Sequence, residues 1–164
     1  MKALFLDRDG IINIDSGHVF REDKIIFNDV FRIVKYFYDK GYMIFVITNQ
    51  AGIAKGYYSE DDFNKLTRFV ERKFRDHQIK ITKTYHCPHH IDAEILEYKK
   101  ACPNRKPNPG MILCAEKEFN LDLSNSIFVG DNLSDIEAAE NSGIKLAILI
   151  KDNRLDLLEA LVNG

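Results

Sequence analysis

Phe5-Leu6-Asp7-Arg8-Asp9-Gly10 closes the first apolar run of the chain, and its two carboxylates stand one residue apart. On an extended backbone residues i and i+2 point to the same side, so Asp7 and Asp9 start out close together and mutually repelling. A cation or a shared proton has to relieve that. A D-x-D followed by Gly also suits a solvated turn, since Asp and Gly are common turn residues. That reading loses ground once polar residues gather at other predicted strand ends.

Residues 2–6 read as a buried strand. Asn28 to Lys40 follows as a helix ended by Gly41, with Val30, Ile33, Val34 and Phe37 on one face. Met43 to Ile47 is strand-like in length and β-branched content and stops at Thr48-Asn49-Gln50-Ala51-Gly52. Ser59 has the chemistry of an N-cap, with Glu60, Asp61 and Asp62 in the first turn of a helix to about His77. Its stripe of Phe63, Leu66, Phe69, Val70 and Phe74 belongs in the core. Ile79 to Tyr85 makes a third strand. Residues 86–107 then hold two cysteines and three histidines without sustained periodicity, which predicts a loop needing its own staple. Pro109 to Phe119 reads as a helix, Ser126 to Val129 as a strand ending in Gly130-Asp131, and Asn132 to Asn141 as a helix closed by Gly143. Lys145 to Ile150 is the last strand and Arg154 to Val162 the last helix. Cys114, beside Ile112 and Leu113, is expected in the core.

Strands alternating with helices predict an α/β protein, a Rossmann-like three-layer α/β/α arrangement with a central parallel sheet, as one domain over residues 1–164. The segments after Asp9 and Thr48 are too short for a large cap domain. At 45% apolar, 29% charged and a net charge of −2, the composition gives no reason to expect nucleic acid or an anionic membrane. The apolar start is too short for a signal peptide, and no 18 apolar residues run together. A cytoplasmic, monomeric, small-molecule enzyme is expected. Three cysteines are an odd count for a disulfide framework, and two of them in a His-containing loop favour a metal site.

In parallel α/β sheets ligands bind beyond the carboxyl ends of the strands. Those ends deliver Asp7 with Asp9, Thr48 with Asn49, and Asp131 with Asp135, while Arg105 and Lys106 come from the loop before a helix. Gathered carboxylates bind a hard cation such as Mg²⁺, which favours a phosphate as a further ligand, and Asp7 and Asp131 are the expected side-chain ligands. The phosphate needs donors on its other oxygens, which Thr48 and Lys106 supply. With one carboxylate as nucleophile, the second can protonate the departing alkoxide and later take a proton from water. Asp135 divides evenly between first-turn helix chemistry beside a positive dipole end and a place behind the metal.

Asp7-Arg8-Asp9-Gly10, Thr48-Asn49-Gln50, Lys106 and Gly130-Asp131-x-x-x-Asp135 resemble, in order and spacing, the four motifs of the haloacid dehalogenase superfamily of phosphatases. More narrowly, Asp9 to Asn13, Thr48 to Gly56 and Arg105-Lys106-Pro107-x-Pro109-Gly110-Met111 resemble its heptose-bisphosphate phosphatases, with histidinol-phosphate phosphatases as close relatives. The resemblance implies removal of the 7-phosphate of a heptose 1,7-bisphosphate, a step in making ADP-heptose for lipopolysaccharide core. It implies Asp7 as nucleophile, Asp9 as general acid and base, and Mg²⁺ on Asp7, the Asp9 backbone carbonyl and Asp131. It further implies phosphoryl stabilisation by Thr48 and Lys106, and substrate recognition by Arg105 and the loop Asp15-Ser16-Gly17-His18. Asn49, Gln50, Ala51, Lys55 and Asn132 complete the expected substrate contacts, Lys55 or Arg105 offering a cation to a second phosphate. Asn132 stands where the family often carries a basic residue.

Cys87-Pro88-His89 and Cys102-Pro103-Asn104 resemble the family's zinc site, a C-x-H followed by a C-x-C, with Asn104 in the fourth position. Zinc prefers thiolate and imidazole to a neutral amide, so Cys87, His89 and Cys102 are expected ligands of a structural Zn²⁺. The fourth position is open to His86, His90, water, or no metal at all. Without metal the loop is expected to loosen and misplace Arg105 and Lys106. A function of another class, a phospho-acceptor signalling module, would also use an Asp, a Thr and a Lys at strand ends. Asp9 argues against it, because a switch has to keep an acyl phosphate whose loss a neighbouring acid/base hastens.

Overall fold

The computed structural model describes residues 1–163. Among them lies a five-stranded sheet in the order β3-β2-β1-β4-β5, with β1 Ala3–Leu6, β2 Met43–Asn49, β3 Ile81–Cys87, β4 Ile127–Gly130 and β5 Leu146–Leu149. Every neighbouring pair is parallel. The helices between them are α1 Phe31–Asp39, α2 Ala51–Ala54, α3 Glu60–Asp76, α4 Gly110–Phe119, α5 Leu133–Ser142 and α6 Asp156–Asn163.

Alternation along each strand feeds two separate cores, which makes the protein three-layered. Leu4, Leu6, Ile44 and Val46 pack with Val34 of α1, Leu66 of α3 and Leu158 of α6 on one face. Phe5, Phe45 and Ile47 pack with Ile112 of α4 and Ala138 of α5 on the other. Phe5 stacks on Phe45 at 5.4 Å and on Phe128 at 6.3 Å between ring centroids, tying the three central strands together.

The chain steps outward from β1 to β2 and β3, then returns to the far side of β1 to lay down β4 and β5. The connections after β1 and β4 therefore diverge and leave a crevice beyond those two strand ends. The Asp7 N–H donates to Val129 O at 3.0 Å, which carries the β1–β4 pairing one residue past the strand, up to that crevice.

Element boundaries moved where a side chain or cap competes with local pattern. The first helix starts at Phe31 rather than Asn28, because Asn28 is pinned to the β1 loop through its Nδ2 to Ile11 O and its N–H to Ile12 O. The third strand is shifted from 79–85 to Ile81–Cys87: the Ile79 N–H still closes α3 on Phe74 O, while Cys87 pairs with Asn49. His86 and Cys87 thus sit on a strand rather than in the loop. Cys114 is exposed, a correction, since α4 buries Met111, Ile112 and Ala115 instead. Ser59 caps α3 in a reciprocal capping box with Asp62, as its spacing predicts.

Candidate active site

Asp7 leaves β1, Asp131 leaves β4, and Lys106 reaches between them from the loop before α4. The Lys106 ammonium donates to Asp7 Oδ1 at 2.9 Å and to Ile47 O at 2.9 Å, and lies 2.6 Å from Asp135 Oδ1. Lys106, Asp7 and Asp135 are 4%, 6% and 1% exposed, so each charge depends on the others for compensation. Donor oxygens of Asp7, Asp131 and Asp135 all lie within 4.8 Å of one another. Burial pushes the Asp7 carboxyl well above the usual carboxylate range; Lys106 pulls it back, and Asp135 and Asp9 push it further up. Asp131 is raised for the same leading reason, with Asp135 adding to it. Burial alone would lower the Lys106 ammonium, but Asp7 and Asp135 outweigh it and hold it above its ordinary value. Asp135 accepts from the N–H groups of Asp131 and Asn132, both at 3.1 Å, so it caps α5 and clamps Lys106 at once.

The turn after β1 is built on one carbonyl. N–H groups of Ile11, Ile12 and Asn13 converge on Arg8 O at 3.3, 2.8 and 3.2 Å. Gly10 adopts φ +96° there, and a Cβ at that position would land on the Asp131 carboxylate. This turn lifts Asp9 toward the cavity, where its carboxylate accepts from Arg8 Nη2 at 3.1 Å, Asn13 Nδ2 at 3.0 Å and Gln50 Nε2 at 3.0 Å. Arg8, Asn13 and Tyr58, whose hydroxyl donates to Gln50 Oε1, were not among the expected site residues. Arg8, between the two carboxylates, and Asn13, at the end of the Asp9-to-Asn13 stretch, carry the available signals.

A cavity of about 330 Å³ opens over these groups. Asp7, Asp9, Thr48 and Lys106 line its floor, and Asp15, Gly17, His18, Ala51, Arg105 and Asn132 its rim. Ser16 lines a separate cavity with Val19 and Phe20, and Lys55 caps α2 outside the lining. Asn49 and Gln50 reach the cavity, yet both side chains are committed to the protein. Asn49 donates to Lys106 O at 3.1 Å and accepts from Lys106 N at 3.0 Å. Asn132 donates to Asp131 Oδ1 at 3.3 Å. Ser134, on the first turn of α5, also lines the cavity and had no signal in the spacing.

A family model described as HAD-hydrolase-like matches residues 103–156. A D-glycero-alpha-D-manno-heptose-1,7-bisphosphate 7-phosphatase of Campylobacter jejuni is 48% identical over 154 residues, covering 93% of this chain and 84% of the relative. The chain belongs to the haloacid dehalogenase superfamily of phosphatases. A D-glycero-beta-D-manno-heptose-1,7-bisphosphate 7-phosphatase of Vibrio cholerae is 41% identical over 153 residues, covering 93% of this chain and 82% of the relative. Among solved structures, D,D-heptose 1,7-bisphosphate phosphatase from B. bronchiseptica, complexed with magnesium and phosphate, matches with a TM-score of 0.81 at 27% identity, covering 100% of this chain and 87% of that one. A HAD-like phosphatase of Mesorhizobium loti matches with a TM-score of 0.91 at 29% identity, covering 99% of this chain and 85% of that one.

In this haloacid dehalogenase phosphatase no large cap covers the cavity among the described residues, and Arg105 and Lys106 of the 88–109 segment form one of its walls. Donor atoms of Cys87, His89 and Cys102 lie within 4.8 Å of one another beside that wall. Burial pushes the Cys87 thiol up to about 11. The fourth expected position is turned to another use: Asn104 Oδ1 packs over Gly110 at the start of α4, where a Cβ would collide with it.

Proposed function

We propose that the chain hydrolyses the 7-phosphate of D-glycero-D-manno-heptose 1,7-bisphosphate through an aspartyl-phosphate intermediate, as a cytoplasmic monomer serving lipopolysaccharide core synthesis. Asp7 attacks phosphorus, forming an O–P bond as the sugar O–P bond breaks, and Asp9 gives its proton to the departing sugar oxygen. Water then attacks the acyl phosphate while Asp9 takes its proton, and phosphate leaves with the Asp7 carboxylate restored. Thr48 and Lys106 hold the phosphoryl oxygens throughout.

The crowded oxygen donors fit a hard divalent cation, and Gly10 leaves room for Asp131 beside the β1 turn. Asp7, Asp131 and the Asp9 carbonyl would hold Mg²⁺, which would neutralise charge on the phosphoryl group. For Zn²⁺, Cys87, His89 and Cys102 form a suitable soft set with a structural role. Neither His86, whose Nε2 pairs with Glu60 at 3.0 Å, nor His90 is among the three donors that lie within 4.8 Å of one another, so the fourth position is open to water.

The observation that carries the bisphosphate is a difference in charge between the two flanks of the cavity. Arg105 lines the catalytic cavity and also a neighbouring one of about 220 Å³, together with Lys100 and His90 and with no carboxylate. On another flank a second neighbouring cavity, which shares Asp15 and Asn132 with the catalytic one, is lined by Asp15, Asp131 and Asp152 with Lys151. A second phosphate belongs on the first side, where Arg105 and Lys100 can pair with it, whereas the cationic amine of histidinol phosphate is repelled there. Phosphate release from both anomers of the heptose bisphosphate, heptose 7-phosphate and histidinol phosphate, with and without Mg²⁺, tests the ranking. Histidinol phosphate matching the bisphosphates in kcat/KM would reverse it. Arg105→Ala should hurt the bisphosphates more than the monophosphates, and Asp7→Asn should abolish turnover.

A further inference from the structure

Gln50 has the composition of a substrate contact, an amide at a strand end beside Thr48, but its side chain is spoken for. The residue is 3% exposed, and its amide meets four groups of the protein. Nε2 donates to Asp9 Oδ2 at 3.0 Å and to Thr48 Oγ1 at 3.0 Å, using both of its protons. Oε1 accepts from the Tyr58 hydroxyl and, at 3.5 Å, from Arg8 Nη2. Turning the amide over would set its NH₂ against a guanidinium and its carbonyl against a carboxylate, so one orientation is fixed.

The phenol that fixes it is itself built in. Tyr58 is 6% exposed, stacks on Phe20 at 5.0 Å and lies over Gly52, where a Cβ would strike its ring. Burial pushes the hydroxyl up to about 12, so it remains a donor at any working pH.

We propose that Gln50 is a positioning residue that aims the Asp9 carboxylate at the leaving oxygen, with Tyr58 setting the direction of its amide. The proposal rests on Asp9 as the acid that protonates the leaving group. A carboxylate held only by Arg8 and Asn13, both donating from the β1 turn, lacks the grip from β2 that fixes its angle to the cavity. Gln50 also donates to Thr48 Oγ1, whose own proton makes only a long bond to Asn49 O at 3.4 Å and can turn to a phosphoryl oxygen.

A residue that aims a general acid matters more for a poor leaving group than for a good one and acts on kcat, whereas a fold defect hits both esters alike and a lost sugar contact shows in KM. The test compares kcat/KM for a sugar phosphate and for p-nitrophenyl phosphate in Gln50→Leu, Tyr58→Phe and Asp9→Asn, with thermal unfolding of each. Gln50→Leu should lower the sugar-to-nitrophenyl ratio by about ten-fold or more, Asp9→Asn by more, and Tyr58→Phe by a smaller factor in the same direction. Tyr58→Phe keeps the ring and its stacking, so it decides the matter if Gln50→Leu does not fold. A ratio that stays constant in both Gln50→Leu and Tyr58→Phe, or a loss confined to KM, overturns the proposal. If Asp9→Asn itself hits both esters alike, the acid role of Asp9 falls and this proposal with it. If Asp9→Asn discriminates and the other two do not, the proposal alone falls.

Discussion

Replacing Lys106 with methionine keeps the apolar stem and removes the charge that the site is built around. The ammonium lies 2.9 Å from Asp7 Oδ1 and 2.6 Å from Asp135 Oδ1, and the side chain is almost wholly buried. Breaking a buried ion pair by removing one partner costs about 3–5 kcal/mol. At about 2–4 °C per kcal/mol for a chain of this length, the expected loss of Tm is roughly 6–20 °C. The sign of the pH dependence follows from Asp7, which burial already raises and which loses in the variant the one cation that lowers it. A group whose folded pKa is raised stabilises fully below its unfolded pKa, and that contribution is lost as pH rises through the folded value. The gap between wild type and Lys106→Met should therefore be small near pH 5 and largest near pH 8. Urea unfolding at both pH values in EDTA measures it. A gap below about 1 kcal/mol at pH 8, or one that does not change with pH, would refute the argument that Lys106 compensates two buried carboxylates.

Gly10→Ala should raise the Mg²⁺ concentration needed for half-maximal activity and destabilise by about 1–3 kcal/mol, because φ is positive there and the new Cβ would displace Asp131; an unchanged Mg²⁺ titration would count against it. Burial raises both Asp7 and Asp131, so Mg²⁺ binding has to displace protons, and its affinity by calorimetry should weaken as pH falls through those raised values. Asn104→Cys should tighten zinc, read by competition with a chromogenic chelator, by supplying a third thiolate; no zinc held by either protein would remove the zinc proposal.

The D-x-D stretch and its partner strand ends were legible because chemistry there is written as residue type at fixed spacing. Asp7, Thr48, Lys106 and Asp131 converge as strand alternation and the parallel topology require. What sequence did not show is side-chain direction. Gln50 and Asn49 line the cavity, and the side chain of each is also bonded to a residue distant in the chain, Asp9 or Lys106. Tyr58 was hidden because its approach depends on the single helical turn α2, too short to leave a periodic signature. Cys114 was misplaced because its neighbours Met111, Ile112 and Ala115 already fill the buried face of α4. The flanks of the cavity were invisible as well, since Lys100 and Arg105 become neighbours only through the folded 88–109 segment.

That segment is also held together without a third thiolate. Arg105 N and Asn108 Nδ2 both donate to Cys102 O, at 3.1 and 3.0 Å, and Gly110 N donates to Pro103 O at 3.0 Å, so residues 102–110 close on themselves. Asn49 then grips the Lys106 backbone by both its N–H and its carbonyl. The lysine that compensates Asp7 is thus located by an amide at the end of β2, whose place beside Cys87 of β3 is set by main-chain pairing. Arg105 has a weaker anchor, a bond of 3.5 Å from Nη1 to His89 O, and His89 is one of the three soft donors. On the function proposed above, removing zinc from the loop should therefore disturb Arg105, and with it recognition of a second phosphate, before it disturbs Lys106. On that proposal specificity and chemistry hang from different supports, and Asn104 Oδ1 serves instead to pack over Gly110 at the start of α4.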